Sequence, residues 1–193
     1  MSNPLGNTLI LDYVVDSSLK NLHISDSSGD IEGTDEGAFG IEIVDSDSIM
    51  LDNVNSSNNS WSGISIRNSG VDYIKNSTFD YNAVEGLKIE DSSRAYGIEN
   101  TSFNENEIGI NILDESYINA FDNNFNYNNI SGISIEHASN TELLDNNFHE
   151  NAFGEEQIQV LYNGENTDFI EKIYNDNSYL PNSEVDDNIN ISY

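Results

Sequence analysis

Cysteine is absent from this 193-residue chain, proline occurs only twice, and basic residues are scarce. Six Lys and Arg stand against 35 Asp and Glu, for a formal net charge of −29. Without cysteine there is no disulfide framework, no thiolate zinc site and no cysteine nucleophile. The shortage of cations excludes a nucleic-acid binder, because such affinity comes largely from Lys and Arg contacts to phosphates. It also argues against binding to an anionic membrane surface.

Long apolar runs are missing as well. No stretch approaches the roughly 18 apolar residues of a membrane-spanning helix, so membrane insertion is not expected. Residues 1–15 show neither the basic start nor the apolar middle of a signal peptide. We therefore expect the chain to be a piece of a longer surface protein. Its length leaves room for one continuous hydrophobic core.

The chain contains a regular internal repeat. A glycine followed by an apolar–x–apolar triplet recurs every 23 residues, at Gly40, Gly63, Gly86, Gly109 and Gly132. Period-two alternation over such short runs predicts strands rather than helices. Because one unit is too small to bury its own apolar face, the units must stack on one another to make a core.

Three further positions recur when the glycine is numbered 1. Position 17 is Ser56 in the first unit and then Phe79, Phe103, Phe125 and Phe148, which we predict to stack inside the protein. Position 14 is Asn53, Asn76, Asn100, Asp122 and Asp145, and position 20 is Asn59, Asn82, Asn106, Asn128 and Asn151. We predict that both of these positions form sharp turns, because Asn tolerates left-handed backbone and its amide can bond to the next copy.

These patterns predict an all-β fold, a right-handed single-stranded parallel β-helix of about seven coils of 23 residues. The repeat domain would cover residues 1–160. Residues 161–193 hold scattered apolar residues amid acidic turns, and we predict a degenerate last coil followed by a C-terminal cap.

The unit from Ile112 to Ile135, ILDESYINAFDNNFNYNNISGISI, resembles the right-handed parallel β-helix repeat. That repeat occurs in NosD-like proteins and in the wider pectate-lyase-like superfamily. The resemblance implies the fold, whereas the superfamily's functions range over polysaccharide lyases, hydrolases, C5-epimerases, phage tailspikes and non-catalytic envelope proteins. The NosD resemblance raises the question of a copper site. We expect none, because copper prefers His, Met and Cys ligands, and the few His and Met residues are scattered along the sequence.

In enzymes of this superfamily the active groove is a line of side chains pointing outward from the first strand and its following turn. In this sequence that line holds Lys88 and Arg67, with His137 in the turn that follows. A uronate lyase or epimerase needs a base to take the α-proton and a cation to neutralise the carboxyl group. Lys88, Arg67 and His137 are thus candidate catalytic residues, although the more specific motifs of alginate epimerases, polygalacturonases and pectate lyases are absent.

Two other groups of residues are candidate binding sites. Asp91 and Asp114 occupy one position in adjacent coils with Glu90 nearby, so calcium, a hard cation with oxygen ligands, would relieve their repulsion. Tyr81 and Tyr127 share position 19 two coils apart, and exposed rings in such a row are candidates for stacking on sugars.

The leading interpretation is a non-catalytic extracellular or cell-envelope module, a monomer, whose acidic repetitive surface contacts a glycan, a cation or a protein. The alternative is a polysaccharide lyase or uronate epimerase acting on the first-strand face, and a third is a phage tailspike or fibre segment, which would trimerise. The absent motifs favour a protein that is not an enzyme.

Overall fold

The computed structural model describes residues 6–29, 37–136, 141–152, 160–163, 176–180 and 189–191. All regular secondary structure in these ranges is β-strand, and every pairing between named strands is parallel. No helix in the part that the structure describes is long and apolar enough to cross a membrane.

The 17 strands of the described ranges form three parallel sheets that run along the molecule. The eight-stranded sheet contains, in spatial order, β1 (Leu9–Asp12), β3 (Ile41–Val44), β5 (Ile64–Arg67), β7 (Glu85–Glu90), β9 (Ile108–Ile112), β12 (Ser131–Glu136), β15 (Val160–Asn163) and β17 (Ile189–Ile191). The six-stranded sheet contains β2 (Val15–Ser25), β4 (Asp47–Ser57), β6 (Gly70–Lys75), β8 (Arg94–Glu99), β10 (Tyr117–Phe121) and β13 (Glu142–Leu144). The three-stranded sheet contains β11 (Asn124–Asn126), β14 (Asn147–His149) and β16 (Ser178–Leu180).

The chain therefore winds through the sheets in turn, and the predicted all-β parallel β-helix is confirmed. The register follows the repeat, since Ile41, Ile64, Leu87, Ile110 and Ile133 are partners in successive strands. The regular part of the β-helix has about five coils rather than the seven expected. The 23-residue spacing holds only from Gly40 to Gly132, which lies in β12. Irregular strands at both ends, β1, β15 and β17, extend the same sheet. Much of the predicted C-terminal cap lies outside the described residues.

The core is a column of aliphatic side chains beside a column of phenylalanine rings. Phe79, Phe103, Phe125 and Phe148 are fully buried, as predicted. Their ring centroids are 5.5, 5.3 and 4.9 Å apart in succession, with interplanar angles of 20° or less. The stack follows from the parallel register, which places the same position of each coil about 4.8 Å above the last.

The repeating glycine is required by the close approach of adjacent coils. A Cβ on Gly86 would lie 2.7 Å from the carbonyl oxygen of Gly109 and 2.9 Å from the Phe103 ring. A Cβ on Gly63 would likewise lie 2.8 Å from the carbonyl oxygen of Gly86. No side chain fits there without moving the backbone of the next coil. Glycine therefore recurs once per coil because each coil packs directly against the next at this position.

The position-20 asparagines form a buried hydrogen-bonded ladder. Each side-chain amide donates to the side-chain oxygen of the asparagine in the next coil, from Asn59 through Asn82, Asn106 and Asn128 to Asn151, at 2.8–3.3 Å. The left-handed residue at this turn is the preceding one, position 19, where every residue from Asn58 to Glu150 has φ between 49° and 60°. Position 14, by contrast, is left-handed as predicted.

Candidate functional site

The first-strand face consists of the outward side chains of the eight-stranded sheet. One row runs through Glu42, Ser65, Lys88, Asn111 and Ser134, which are partners in register. Glu42 and Ser65 are buried although they point away from the core, and the Lys88 side chain is only 12% exposed. The Ser65 hydroxyl is buried without a hydrogen-bond partner.

The structure brings two of the predicted catalytic residues together on this face. The Arg67 guanidinium forms an ion pair with Glu42, and Lys88 Nζ lies 3.1 Å from Glu90 Oε2. A uronate carboxyl group binding here would compete with Glu42 or Glu90 for its cation. His137, the third candidate, lies outside the described residues.

Sequence reasoning missed a buried carboxylate beside this face. Glu85 opens β7 and is buried, with the Ser62 hydroxyl donating to its Oε2 at 2.5 Å and Asn111 Nδ2 donating to its Oε1 at 3.2 Å. The equivalent residues of adjacent coils are Ser62 and Ile108. A single acidic residue at a variable position gave no signal in the sequence.

The predicted calcium ligands lie in the turn that follows the first strand. Asp91 and Asp114 are exposed, with left-handed φ values of 57° and 51°, and Glu90 is the partner of Lys88. Asp45 and Asn68 fill the same turn position in other coils and are also left-handed. Turn geometry thus accounts for Asp at this position. Within the described residues, no group of three or more His, Cys, Asp or Glu is placed to hold a metal ion.

Salt should stabilise the protein. With a net charge of −29, self-repulsion weakens the compact state at low ionic strength. Screening shortens from about 10 Å at 0.1 M salt to about 3 Å at 1 M, so NaCl should raise the melting temperature steadily. Thermal unfolding over a NaCl series measures this effect, and a flat response would contradict it.

Calcium is tested in the same experiment. A specific site would add stability beyond NaCl of matched ionic strength, by mass action on the native state. Replacing both Asp91 and Asp114 with Asn would remove that excess and leave the salt response intact. Without such an excess in the parent protein, the acidic turn is solvated surface.

The tyrosine column is position 19 of the repeat: Asn58, Tyr81, Glu105, Tyr127 and Glu150. Tyr81 is 54% exposed and Tyr127 is 40% exposed. Both have left-handed backbone, with φ of 60° and 59°. A bulky residue with left-handed backbone is an outlier, whereas Asn58 adopts the same backbone with little strain.

The Tyr81 ring borders a shallow surface groove. The groove is lined by Asp26 and Ser28 from the first coil and by Asn58 and Ser60 from the next. The Glu105 carboxylate, at the same position of the next coil, raises the pKa of Tyr81. An aromatic ring flanked by hydroxyl, amide and carboxylate groups offers both a stacking surface and hydrogen-bond partners for a sugar.

Tyr127 lies two coils further along, about 10 Å from Tyr81 by the strand spacing. Its ring packs edge-on against His149, with centroids 5.3 Å apart. The structure therefore places both predicted sugar-binding tyrosines on one edge of the molecule, separate from the first-strand face.

Comparison with known proteins agrees with this architecture. A family model described as the right handed beta helix region matches residues 39–188. No curated protein matches the chain. Among solved structures, the mannuronan C-5 epimerase A-module of Azotobacter vinelandii is similar, with a TM-score of 0.50 and 13% identity, over 97% of this chain and 53% of that one. This chain spans about half the length of that module, and the likeness concerns the fold.

Proposed function

Because the chain belongs to the right-handed β-helix family, we propose that it is a non-catalytic extracellular or cell-envelope module that binds a glycan along the tyrosine column. The observation that carries the proposal is the pair of exposed tyrosines, Tyr81 and Tyr127, held in left-handed backbone on one edge. Every described coil turns through left-handed backbone at this position, so a bulky tyrosine there carries strain that Asn58 avoids.

The first-strand face supports a binding function less well. Its two cations are engaged in ion pairs with Glu42 and Glu90, and its Ser65 is buried. The tyrosine column is instead open to solvent and repeats at the coil spacing. A linear polymer running along the molecule could therefore contact both rings.

Replacing Tyr81 or Tyr127 with Asn separates binding from folding. Asn58 occupies the same position of another coil with the same left-handed backbone. Each substitution should therefore relieve backbone strain and stabilise the fold by roughly 0.5–1 kcal/mol. Glycan affinity should fall by at least about tenfold, as when a central aromatic contact is removed. Denaturant unfolding and binding to an array of polysaccharides measure the two effects.

Tyr96→Asn is the matched control. Tyr96 is 45% exposed but lies on β8, in the six-stranded sheet and outside the left-handed turns. The same chemical change there should leave glycan binding unchanged and bring no gain in stability. Equal loss of binding in Tyr96→Asn and Tyr81→Asn would refute a site on the tyrosine column.

A lyase or C5-epimerase acting on the first-strand face is the second candidate. It is favoured by Lys88 and Arg67 lying in adjacent coils beside carboxylates. We expect no turnover of mannuronan or polygalacturonate, measured by ultraviolet absorbance of unsaturated products and by NMR of C5 configuration. Turnover that disappears in both Lys88→Ala and Lys88→Gln would replace the proposed function with this one.

A further inference from the structure

The tyrosine column alternates aromatic and acidic side chains. Tyr81, Glu105, Tyr127 and Glu150 come from four successive coils, and all four have left-handed backbone. Their spacing is the coil rise of about 4.8 Å, which is close to the length of one pyranose unit in an extended chain. A linear polysaccharide laid along this edge would thus meet a ring and a carboxylate in alternation.

Two exposed carboxylates lie in the surroundings of the Tyr81 ring. The Glu105 carboxylate of the next coil interacts with Tyr81 and raises its pKa, and Asp26 lines the groove that the Tyr81 ring borders. Glu105 and Asp26 are both exposed, so their charge is available to a ligand. Asp80, the residue before Tyr81, is half-buried. Its carboxylate already accepts hydrogen bonds from the Asn104 backbone N–H and the Ser102 hydroxyl, which leaves it less available to a ligand.

The Lys and Arg side chains in the described ranges lie on other surfaces. Lys20, Lys75 and Arg94 belong to strands of the six-stranded sheet, while Arg67 and Lys88 belong to the eight-stranded sheet. The tyrosine column as described therefore offers acceptors and negative charge without a Lys or Arg; its basic neighbour is His149, which packs against the Tyr127 ring and lies 3.8 Å from the Glu150 carboxylate. A polyuronate or sulfated glycan would be repelled there, more so because the whole chain carries −29.

From this arrangement, and resting on the proposed function, we infer that the glycan is an amino-sugar polymer with free amino groups. The sugar faces would stack on Tyr81 and Tyr127, and the ammonium groups would bind Glu105 and Asp26. An ammonium group beside a tyrosine ring also gains a cation–π interaction. The negative charge of Glu105 and Asp26 would thus help the module select a glycan with free amino groups.

The test compares three oligosaccharides of equal length: a glucosamine oligomer, its N-acetylated form and a mannuronate oligomer. Binding to the full chain is measured by calorimetry in mildly acidic buffer, where the amines and most carboxylates are charged. The glucosamine oligomer should bind about tenfold more tightly than the acetylated one at low salt, the sum of two or three exposed charge contacts. Salt should shrink this preference, because exposed pairs are screened.

Charge-removing variants distinguish the site from general attraction to an acidic protein. Glu105→Gln and Asp26→Asn should each reduce the preference for free amines about threefold while leaving binding of the acetylated oligomer nearly unchanged. Asp72→Asn removes one exposed charge from β6, on another face, and should change neither. An equal effect of Asp72→Asn would mean non-specific attraction and would overturn the inference.

The remaining outcomes separate the inference from the proposed function. Equal binding of both neutral and free-amine oligomers, lost in Tyr81→Asn, would overturn the amino-sugar inference and leave the glycan-binding function standing. Preferred binding of the mannuronate oligomer would likewise overturn the inference. If no oligosaccharide binds, the proposed function fails as well.

Discussion

Replacing Phe125 with alanine should lower the free energy of unfolding by about 3–5 kcal/mol, the usual cost of truncating a buried phenylalanine. Phe125 is fully buried and stacks between Phe103 and Phe148, at centroid distances of 5.3 and 4.9 Å. Truncation would leave a gap in the middle of a one-dimensional stack, and the adjacent coils cannot close it without breaking their strand register. Equilibrium unfolding in urea measures the loss.

Phe125→Leu and Tyr96→Ala control this experiment. Leucine keeps most of the buried volume and should cost clearly less than alanine. Tyr96 is exposed, so its truncation should cost no more than about 1 kcal/mol. If Phe125→Ala costs as little as Tyr96→Ala, the ring stack does not hold the coils together.

The interior could be predicted from the sequence because parallel stacking repeats every inward position. One residue in each coil must fill the same volume, so the phenylalanines and the paired aliphatic residues recur at the coil spacing. Gly86 repeats for the same reason, since the carbonyl oxygen of Gly109 occupies the space of a side chain. The core and the register follow from this constraint alone.

The polar ladders could be predicted only in part. The sequence predicts that asparagine at position 20 lies at a sharp turn and bonds to its copy in the next coil; the amide bonds are present, whereas the left-handed residue of the turn is the preceding one. A second ladder was not foreseen. In it Ser46, Ser69, Ser93 and Ser116 each accept a hydrogen bond from the backbone of the previous coil through the side-chain hydroxyl. Serine is common in this sequence, so four serines at one position did not stand out.

Outward positions escape prediction because no packing constraint repeats there. Glu85 bonds to Ser62, its equivalent in the previous coil, and to Asn111, which stands at a different position of the next coil, so only one of these two contacts follows the repeat. The ion pairs of Arg67 and Lys88 likewise depend on which carboxylate a long side chain reaches. The repeat could place Arg67 and Lys88 on one face, but it could not show that each cation has a partner.

The second large effect should come from Asn128→Asp, a change of one amide to a carboxylate. Asn128 is fully buried; its Nδ2 donates to the Phe103 carbonyl at 2.9 Å and to Asn151 Oδ1 at 2.8 Å, and its Oδ1 accepts from the Asn106 backbone N–H. Aspartate loses both donated bonds and sets a negative charge against two acceptors. At neutral pH the loss of stability should be about 3–5 kcal/mol, as for an uncompensated buried charge.

The pH dependence of this loss identifies its cause. Burial and the two acceptors would raise the pKa of the new carboxyl group in the folded state above its unfolded value of about 4. The protonated form is therefore the better tolerated one, and the destabilisation, full above the folded pKa, should shrink as the pH falls toward 4. Urea unfolding of the variant and the parent at several pH values gives the difference directly, which cancels the general effect of acid on the other carboxylates.

Asn100→Asp is the matched control, because it makes the same chemical change at the exposed position 14. Asn100 has a φ of 49°, and the same position in other coils is Asp122 and Asp145, both left-handed. Its amide donates to Asn76 Oδ1 at the surface, so the change should cost less than about 1 kcal/mol at any pH. A small, pH-independent loss in Asn128→Asp as well would mean that the buried amide ladder contributes little, and that the apolar column alone sets the stability of the stack.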